Sequence, residues 1–452
     1  MSAVDVVSPS AIAEQILELV RSKDPNAAAE VTVRTGTAAL TRFANSFIHQ
    51  NVAEEICSVL LRVARDGRVA IAALDAPPAG DALERLVDGT LEAARVRPVD
   101  PDWPGLAAPA PVRHVEHWDD ATGDAPPAER VSRVRAFVDA AGGLETAGYC
   151  STEGATVAFA NSAGQHLAGR TTRAFLQGIA RTGSSDGSGR AGAVALSAID
   201  GGAAGKVAGR KAQDAADPTD LEPGRYEVVL EPDAVADLLD FLFVYGFNGR
   251  AVEENRSFVR LGEAQFDRSI SLREDVTDPD QVGVPFDAEG TPKRRIDVVR
   301  GGVTSAVLHD RRTAAKAGAE STGNAVAGAG GWGALPENVV LEAGDRSLDE
   351  LIAAVPRGLL VTAFHYTRIL DPRTTVVTGL TRNGVWLIED GRVVRPVKNL
   401  RFTQAYVEAL APGAVLGVGR ERVLLPGDFA DGASLVPPLR LASWNFTGGA
   451  RG

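Results

Sequence analysis

Residues 374 to 403 read TTVVTGLTRNGVWLIEDGRVVRPVKNLRFT, and their interpretation decides the fold of the carboxyl-terminal half. β-Branched and aromatic residues dominate, and two dipeptides, Asn383-Gly384 and Asp390-Gly391, interrupt the run. Asn-Gly and Asp-Gly supply the positive φ angles of a two-residue hairpin, so the spacing predicts strands folded into a meander. KRRIDVVRGGVTSAVLHD, GLLVTAFHYTRIL and LRLASWNFTGG add further strand-rich runs on either side. A mainly antiparallel, barrel-like sheet is expected over residues 221–452.

Toward the amino terminus the pattern changes. Ser8 can cap a helix, Pro9 suits its first position, and Ile12, Ile16 and Val20 share one face. AEVTVRTG, LTRFANSFIHQ, ICSVLLRVA and RVAIAALD then read as strands, with a hairpin at Asp66-Gly67, and ALERLVDGTLEAARV returns to helical spacing. Residues 97–127 are crowded with proline and read as an irregular surface connection before the helix AERVSRVRAFVDA. TAGYCSTEGATVAFANSAGQ and TTRAFLQGIART are strands, TGSSDGSGRAG is a flexible loop by composition, and GGAAGKVAGRKAQDAADP is a helix. The fold class is therefore α+β: an amino-terminal α/β domain over residues 1–220, with helices on a sheet, and the β-rich domain after it. A length of 452 residues agrees with two domains.

The formal charge of −12 disfavours nucleic acid and anionic membranes as partners. Cys57 and Cys150 are the only cysteines, which excludes a disulfide framework or a cysteine-rich zinc module and suits a reducing compartment. MSAVDVVSPS lacks a leader's profile, and no run of about 18 apolar residues follows. A soluble cytoplasmic protein is expected.

Local motifs carry little chemistry. Gly183 to Gly187 fits G-x-S-x-G without the strand and helix that make a nucleophile elbow. Gly328, Gly330 and Gly333 fit G-x-G-x-x-G, but Pro336 follows where a helix should open. His114 and His117 lie beside Glu116, Asp119 and Asp120 in the proline-rich connection and read as a solvated surface loop. His49, His166 and His309 stand alone. His365, Tyr366 and Arg368 in FHYTRIL offer a base, a phenol and a guanidinium. Strict alternation would put His365 with Thr367 and Tyr366 with Arg368.

RFANSFIHQN, STEGATVAFANSAG, GRYEVVLEPDAVADLLDFL, RRTAAKAGAESTGNA and DPRTTVVTGLTRNGVWLIEDGRVVRPVKNLRFTQ together resemble the TldD/PmbA (TldD/TldE) family, and within it the PmbA or TldE branch. The resemblance runs from about residue 30 to the carboxyl terminus. It implies a heterodimeric metallopeptidase whose TldD-type subunit holds zinc through a His-Glu-x-x-x-His helix and a later cysteine. The PmbA-type subunit encloses the chamber for unfolded peptides.

In this chain the metal-helix region after EPDAVADLL holds Phe241, Phe243, Tyr245, Phe247 and Asn248, which are not zinc ligands. No cysteine follows Cys150, Asp428 falls near the missing ligand's place, and Glu253 and Glu254 have no histidine at i+3 or i+4. The resemblance therefore implies a metal-free subunit with no catalytic residues of its own, with zinc in a TldD-like partner. His365, Tyr366 and Arg368 are the candidate substrate-binding residues. A stand-alone hydrolase built on His365 or the 183–187 loop, or a peptide-binding scaffold, are the alternatives.

Overall fold

The computed structural model describes residues 8–78, 80–429 and 431–449. Residues 1–7, part of the stretch read for a leader, lie outside the described residues. Helix α1 (Pro9–Lys23) starts as its sequence predicts: the Ser8 side chain accepts the Ala11 N–H at 3.2 Å, and Ile12, Ile16 and Val20 are buried. Strands β1 (Ala28–Ala44), β2 (Phe47–Arg65) and β3 (Arg68–Leu74) follow, and then helix α2 (Ala82–Val96).

Asp66 and Gly67 turn the chain with φ of 51° and 72°, as expected. LTRFANSFIHQ, however, is not one strand. Asn45 and Ser46, with φ of 50° and 63°, fold β1 back onto β2. Asparagine tolerates this region, and Ser46 is fixed there because its hydroxyl accepts the Thr146 N–H at 3.0 Å and donates to the Leu144 carbonyl at 3.2 Å.

Past the short helix α3 (Asp120–Gly123) and α4 (Pro127–Ala140) come β4 (Glu145–Asn161), β5 (His166–Arg181), β6 (Asp186–Ala193) and α5 (Gly201–Asp214). The six strands form one antiparallel sheet in the order β3-β2-β1-β4-β5-β6. Strand β6 corrects the loop read in TGSSDGSGRAG; only residues 182–185 turn. Its glycines serve close packing, since a Cβ on Gly189 would meet the Ala204 carbonyl of α5 at 2.0 Å. On the sheet's helical face, Ile16 and Val87 of α1 and α2 pack on Val31 and Leu61, while Phe137 and Ala208 of α4 and α5 pack on Leu176. The opposite face of β1 turns toward the second half.

That half opens with β7 (Gly224–Leu230), which pairs in parallel with β12 (Arg357–Asp371) and antiparallel with β19 (Leu439–Gly449). Strand β19 joins β15 (Leu400–Ala405), β15 joins β13 (Val376–Glu389), and β13 returns to β12, so the five close into a ring. Strands β14 (Arg392–Pro396) and β16 (Val415–Val418) flank it. A second sheet comprises β8 (Leu272–Glu274), β9 (Ile296–Arg300), β10 (Val303–Thr304), β11 (Asn338–Leu341), β17 (Val423–Pro426) and β18 (Ala433–Val436), with one parallel pairing, β11 to β18.

Asp390-Gly391 makes the expected hairpin between β13 and β14, but Asn383-Gly384 does not make one. Val361 pairs with Val385 and Ala363 with Arg382, so the dipeptide opposes Thr362 alone. It is a bulge inside a continuous strand, because both flanks of β13 find the same partner, β12. Helix α6 (Pro232–Tyr245) lies in the middle: Leu238, Leu239, Leu242 and Phe243 pack with Val361, Phe402 and Trp444 of the ring and Leu425 and Val436 of the second sheet. Among the described residues no helix is long and apolar enough to cross a membrane.

Candidate functional site

Helical spacing sorts the side chains of α6. Asp237, Phe241 and Tyr245 recur at i, i+4 and i+8 and form one stripe, whereas Phe243 and Phe247 lie on the far side with no exposure. Phe247 packs edge-on against Phe258 at 5.3 Å and Phe243 at 5.4 Å, so this pair is core. The stripe ends at the surface in a cluster of aromatic rings. Tyr245 stacks on Phe241 at 5.7 Å and meets Trp332 and Phe429 edge-on at 6.2 and 6.3 Å. Phe429 also stands on Phe241 at 5.7 Å, and Trp332 is 51% exposed.

The helix stops at Gly246, and Asn248 caps the short helix α7 (Gly249–Glu253) by accepting the Arg250 N–H at 3.0 Å. Its amide also donates to the Val244 and Trp332 carbonyls at 3.2 and 2.8 Å, which makes Asn248 a buried structural residue.

Two aspartates on α6 were not singled out from sequence. Asp237 accepts the Thr367 hydroxyl at 2.7 Å and the Tyr406 hydroxyl at 3.0 Å. Asp240 accepts the Asp428 N–H at 3.2 Å and the Ser434 hydroxyl at 3.3 Å. Burial pushes Asp237 up to about 7 and Asp240 up to about 8, and the nearby Asp428 carboxylate adds to both shifts. The signal was present in DAVADLLDFLFVY, where these acids interrupt an otherwise apolar helix.

Asp428 does sit beside this helix, where the resemblance placed it. The set does not fit zinc. Each oxygen of Asp237 and Asp240 already accepts a hydrogen bond, and the rest of the stripe is aromatic. Among the described residues no group of three or more histidines, cysteines or carboxylates is placed to hold a metal ion. Glu253 and Glu254 point elsewhere, into ion pairs with Lys316 at 2.7 Å and Arg250 at 2.9 Å.

His365, Tyr366 and Arg368 do come together, but not by alternation. His365 pairs with Leu380 and Arg368 with Thr378, leaving Tyr366 and Thr367 opposite Gly379 alone. This bulge, with Tyr366 at φ 56°, turns Thr367 inward to Asp237 and leaves the other three exposed. The Arg368 guanidinium lies 4.8 Å over the Tyr366 ring, and the His365 ring is 5.8 Å from it. Arg382 donates to His365 Nε2 at 2.9 Å, and partial burial together with the Arg382 charge holds the imidazole below its ordinary pKa. Burial raises the Tyr245 phenol, with Arg256 and Arg368 pulling against it, so the bulge and the aromatic cluster share one electrostatic field.

The remaining motifs are structural. Ser185 donates to the Ala212 carbonyl at 2.5 Å within the 182–185 turn. No helix follows Gly333. His117, read as solvated, is 2% exposed, its ring nitrogens 3.0 and 3.3 Å from the Gly283 and Asp278 carbonyls, because the proline-rich connection packs under the second half. Asp119 caps α3, His114 is exposed beside Glu116, and Asp120 accepts the Trp118 indole N–H at 2.6 Å. His309 is buried against Thr313 at 3.2 Å, and His49 and His166 are exposed.

Residues 223–448 match the PmbA/TldA metallopeptidase C-terminal domain. A metalloprotease of Methanothermobacter thermautotrophicus is 27% identical over 206 residues, 44% of this chain and 43% of that protein. A metalloprotease TldD homolog of Buchnera aphidicola is 23% identical over 199 residues, 43% of this chain and 41% of the relative. The chain thus spans less than half the length of these curated relatives. The crystal structure of TldE from Thermococcus kodakarensis superposes with a TM-score of 0.87 at 20% identity, covering 97% of this chain and all of that one. That of a proposed modulator of a DNA gyrase from Thermotoga maritima gives 0.83 at 18% identity, covering 96% of this chain and all of the other. These two likenesses establish a shared fold.

Proposed function

The chain belongs to the PmbA/TldD metallopeptidase family, and from that membership we propose that it is the metal-free subunit of a heterodimeric peptidase acting on unfolded peptides. The observation that carries this reading is the stripe Asp237–Phe241–Tyr245. Where the family's catalytic branch would present zinc ligands, this helix presents two carboxyls whose oxygens are bonded internally and a cluster of aromatic rings. Zinc and the water it activates belong, on this reading, to a TldD-like partner. This chain completes the partner's site and holds the substrate.

Peptide binding falls to the exposed side of β12. His365, Tyr366 and Arg368 project there from the bulge, with the Arg368 charge within electrostatic reach of the Tyr245 phenol. Arg368 is suited to a peptide carboxylate, since a guanidinium binds one through two parallel hydrogen bonds. An extended chain adding along a strand edge would gain affinity from main-chain bonds with little demand on sequence. Two free thiols and an acidic composition agree with a cytoplasmic location.

The test is reconstitution. A purified TldD-type subunit is assayed on an unstructured peptide with and without this chain, and cleavage is expected only from the pair. Equal cleavage by the partner alone would exclude the proposed role.

A further inference from the structure

The outer face of the ring carries positive charge that nothing in the chain neutralises. Directly opposed residues of neighbouring strands share a face, so the register of β12, β13 and β15 sets three successive outward rows. Arg382 stands opposite Ala363 in the first, Leu380 is flanked by His365 and Arg401 in the second, and Thr378 is flanked by Arg368 and Thr403 in the third. The residues between them, Phe364, Val377 and Phe402, turn into the core, which leaves the rows outside. Each row thus contributes one exposed guanidinium, Arg382, Arg401 and Arg368 in turn. Rows two residues apart along β13 are separated by about 6.6 Å, so the three span about 13 Å.

Among the described residues no carboxylate pairs with any of the three. Arg382 donates to the His365 ring at 2.9 Å, and Arg368 donates to the Thr367 carbonyl at 2.6 Å and covers the Tyr366 ring. His365, held below its ordinary pKa by partial burial and by Arg382, accepts that bond and adds no charge at neutral pH. Elsewhere on the same ring the cations are claimed: Arg357 lies 3.7 Å from Glu389 at the other end of the β12–β13 pair, and Arg440 of β19 lies 2.6 Å from Glu227 of β7. In a chain of formal charge −12, three neighbouring guanidinia without an acid are a vacancy for one.

We propose that this face docks an acidic segment at the carboxyl-terminal end of the substrate peptide, with Arg368 on the terminal carboxylate and Arg401 and Arg382 on the acidic side chains before it. The inference deepens the proposed function, on which it rests, by naming the substrate class. Charge complementarity selects the sign of the occupant. Spacing selects its form: side chains on one face of an extended peptide recur every two residues, about 6.6 Å, which is the repeat of the rows. A guanidinium takes a carboxylate through two parallel hydrogen bonds, so each row can hold one acid.

Size argues against a nucleic acid. Three guanidinia over about 13 Å meet only a few phosphates, and a longer polyanion would run on to a chain that is acidic as a whole.

The test uses the full chain and a fluorescent, unstructured octapeptide with glutamate at alternate positions before a free carboxyl terminus, read by anisotropy beside the same peptide with glutamine in place of glutamate. The wild type is expected to bind the glutamate peptide at least tenfold more tightly, and the double variant Arg382→Gln/Arg401→Gln is expected to lose that preference. Arg95→Gln/Arg210→Gln removes the same charge from exposed positions on α2 and α5 and should keep it. Arg382→Gln and Arg401→Gln singly, each with at least a threefold loss, replace the double variant if it fails to fold. Equal binding of the two peptides by the wild type, no binding of either, an equal loss in the control pair, or tighter binding of an oligonucleotide of eight residues would overturn the proposal. Cleavage of the glutamine peptide at saturating concentration by the reconstituted pair keeps a failure here apart from a failure of the proposed function. Cleavage without any preference for glutamate would overturn the acidic docking face alone, whereas selective binding without cleavage by the pair would support the face and count against the proposed function.

Discussion

Replacing Asp240 by asparagine should flatten the pH dependence of this chain's stability. Asp240 is buried beside Asp237 and Asp428, and its carboxyl is pushed from an ordinary 3.8 up to about 8. The folded state therefore keeps a proton that the unfolded chain has lost, and stability falls as pH rises between those two values. One pH unit in that window corresponds to about 1.4 kcal/mol per fully retained proton, so from pH 5 to pH 7 the site removes at most about 2.7 kcal/mol. Coupling to Asp237 and Asp428 lowers the figure. Glu30, Asp237, Glu274 and Asp287 are each raised to about 7, burial being the main cause, and they slope the same way.

Comparing variant with wild type cancels those contributions. Asparagine keeps one oxygen to accept from Ser434 or from the Asp428 N–H, so Asp240→Asn should lose roughly 1 kcal/mol of hydrogen bonding at pH 5. It should overtake the wild type, or draw level, by pH 7. Urea unfolding at pH 5, 6 and 7 reads the difference. Parallel profiles for the two proteins would show that Asp240 is ionised in the folded chain and would refute the reasoning.

Cys150 is fully buried and burial pushes its thiol up to about 12, while Cys57 is half-buried; a disulfide reagent should titrate one thiol per native chain and two after denaturation, and two fast thiols would contradict this. Gly384→Ala should lower the melting temperature markedly, by the equivalent of at least about 1–3 kcal/mol, because the residue holds φ 121° and a Cβ would meet the Trp386 ring at 2.1 Å; an unchanged melting temperature would remove the bulge from the account. Arg368→Ala should slow the assembled pair more on short peptides than on long ones, since a terminal carboxylate is a larger share of a short peptide's binding; equal losses at all lengths, or loss of folding, would take Arg368 out of the site.

What sequence revealed and what it hid divide along one line. Ser8-Pro9, Asp66-Gly67 and Asp390-Gly391 encode local geometry and were legible, as was the apolar stripe of α1. Asn383-Gly384 carries the same local signal as a hairpin, yet its meaning depends on β12, some twenty residues earlier, which pairs with both flanks. The glycines of β6 look like loop until α5 is laid against them, when they become the contact that lets helix and strand approach. Of the candidate site, the aromatic content of α6 was visible, but its division into core Phe243 and Phe247 and surface Tyr245 required the helix's surroundings. The inward turn of Thr367 onto Asp237 rests on a bulge that alternation alone could not foresee. Asp237 and Asp240 were overlooked because charged residues in an acidic chain attract no notice, although two acids inside so apolar a helix were the signal.

The central claim is that this subunit completes a zinc peptidase without carrying the zinc. Its most direct test is elemental analysis of the two subunits separated from an active pair. The account predicts about one zinc with the TldD-type subunit and none with this chain. One tightly bound zinc on this chain, lost in Asp428→Ala together with peptide cleavage, would contradict it.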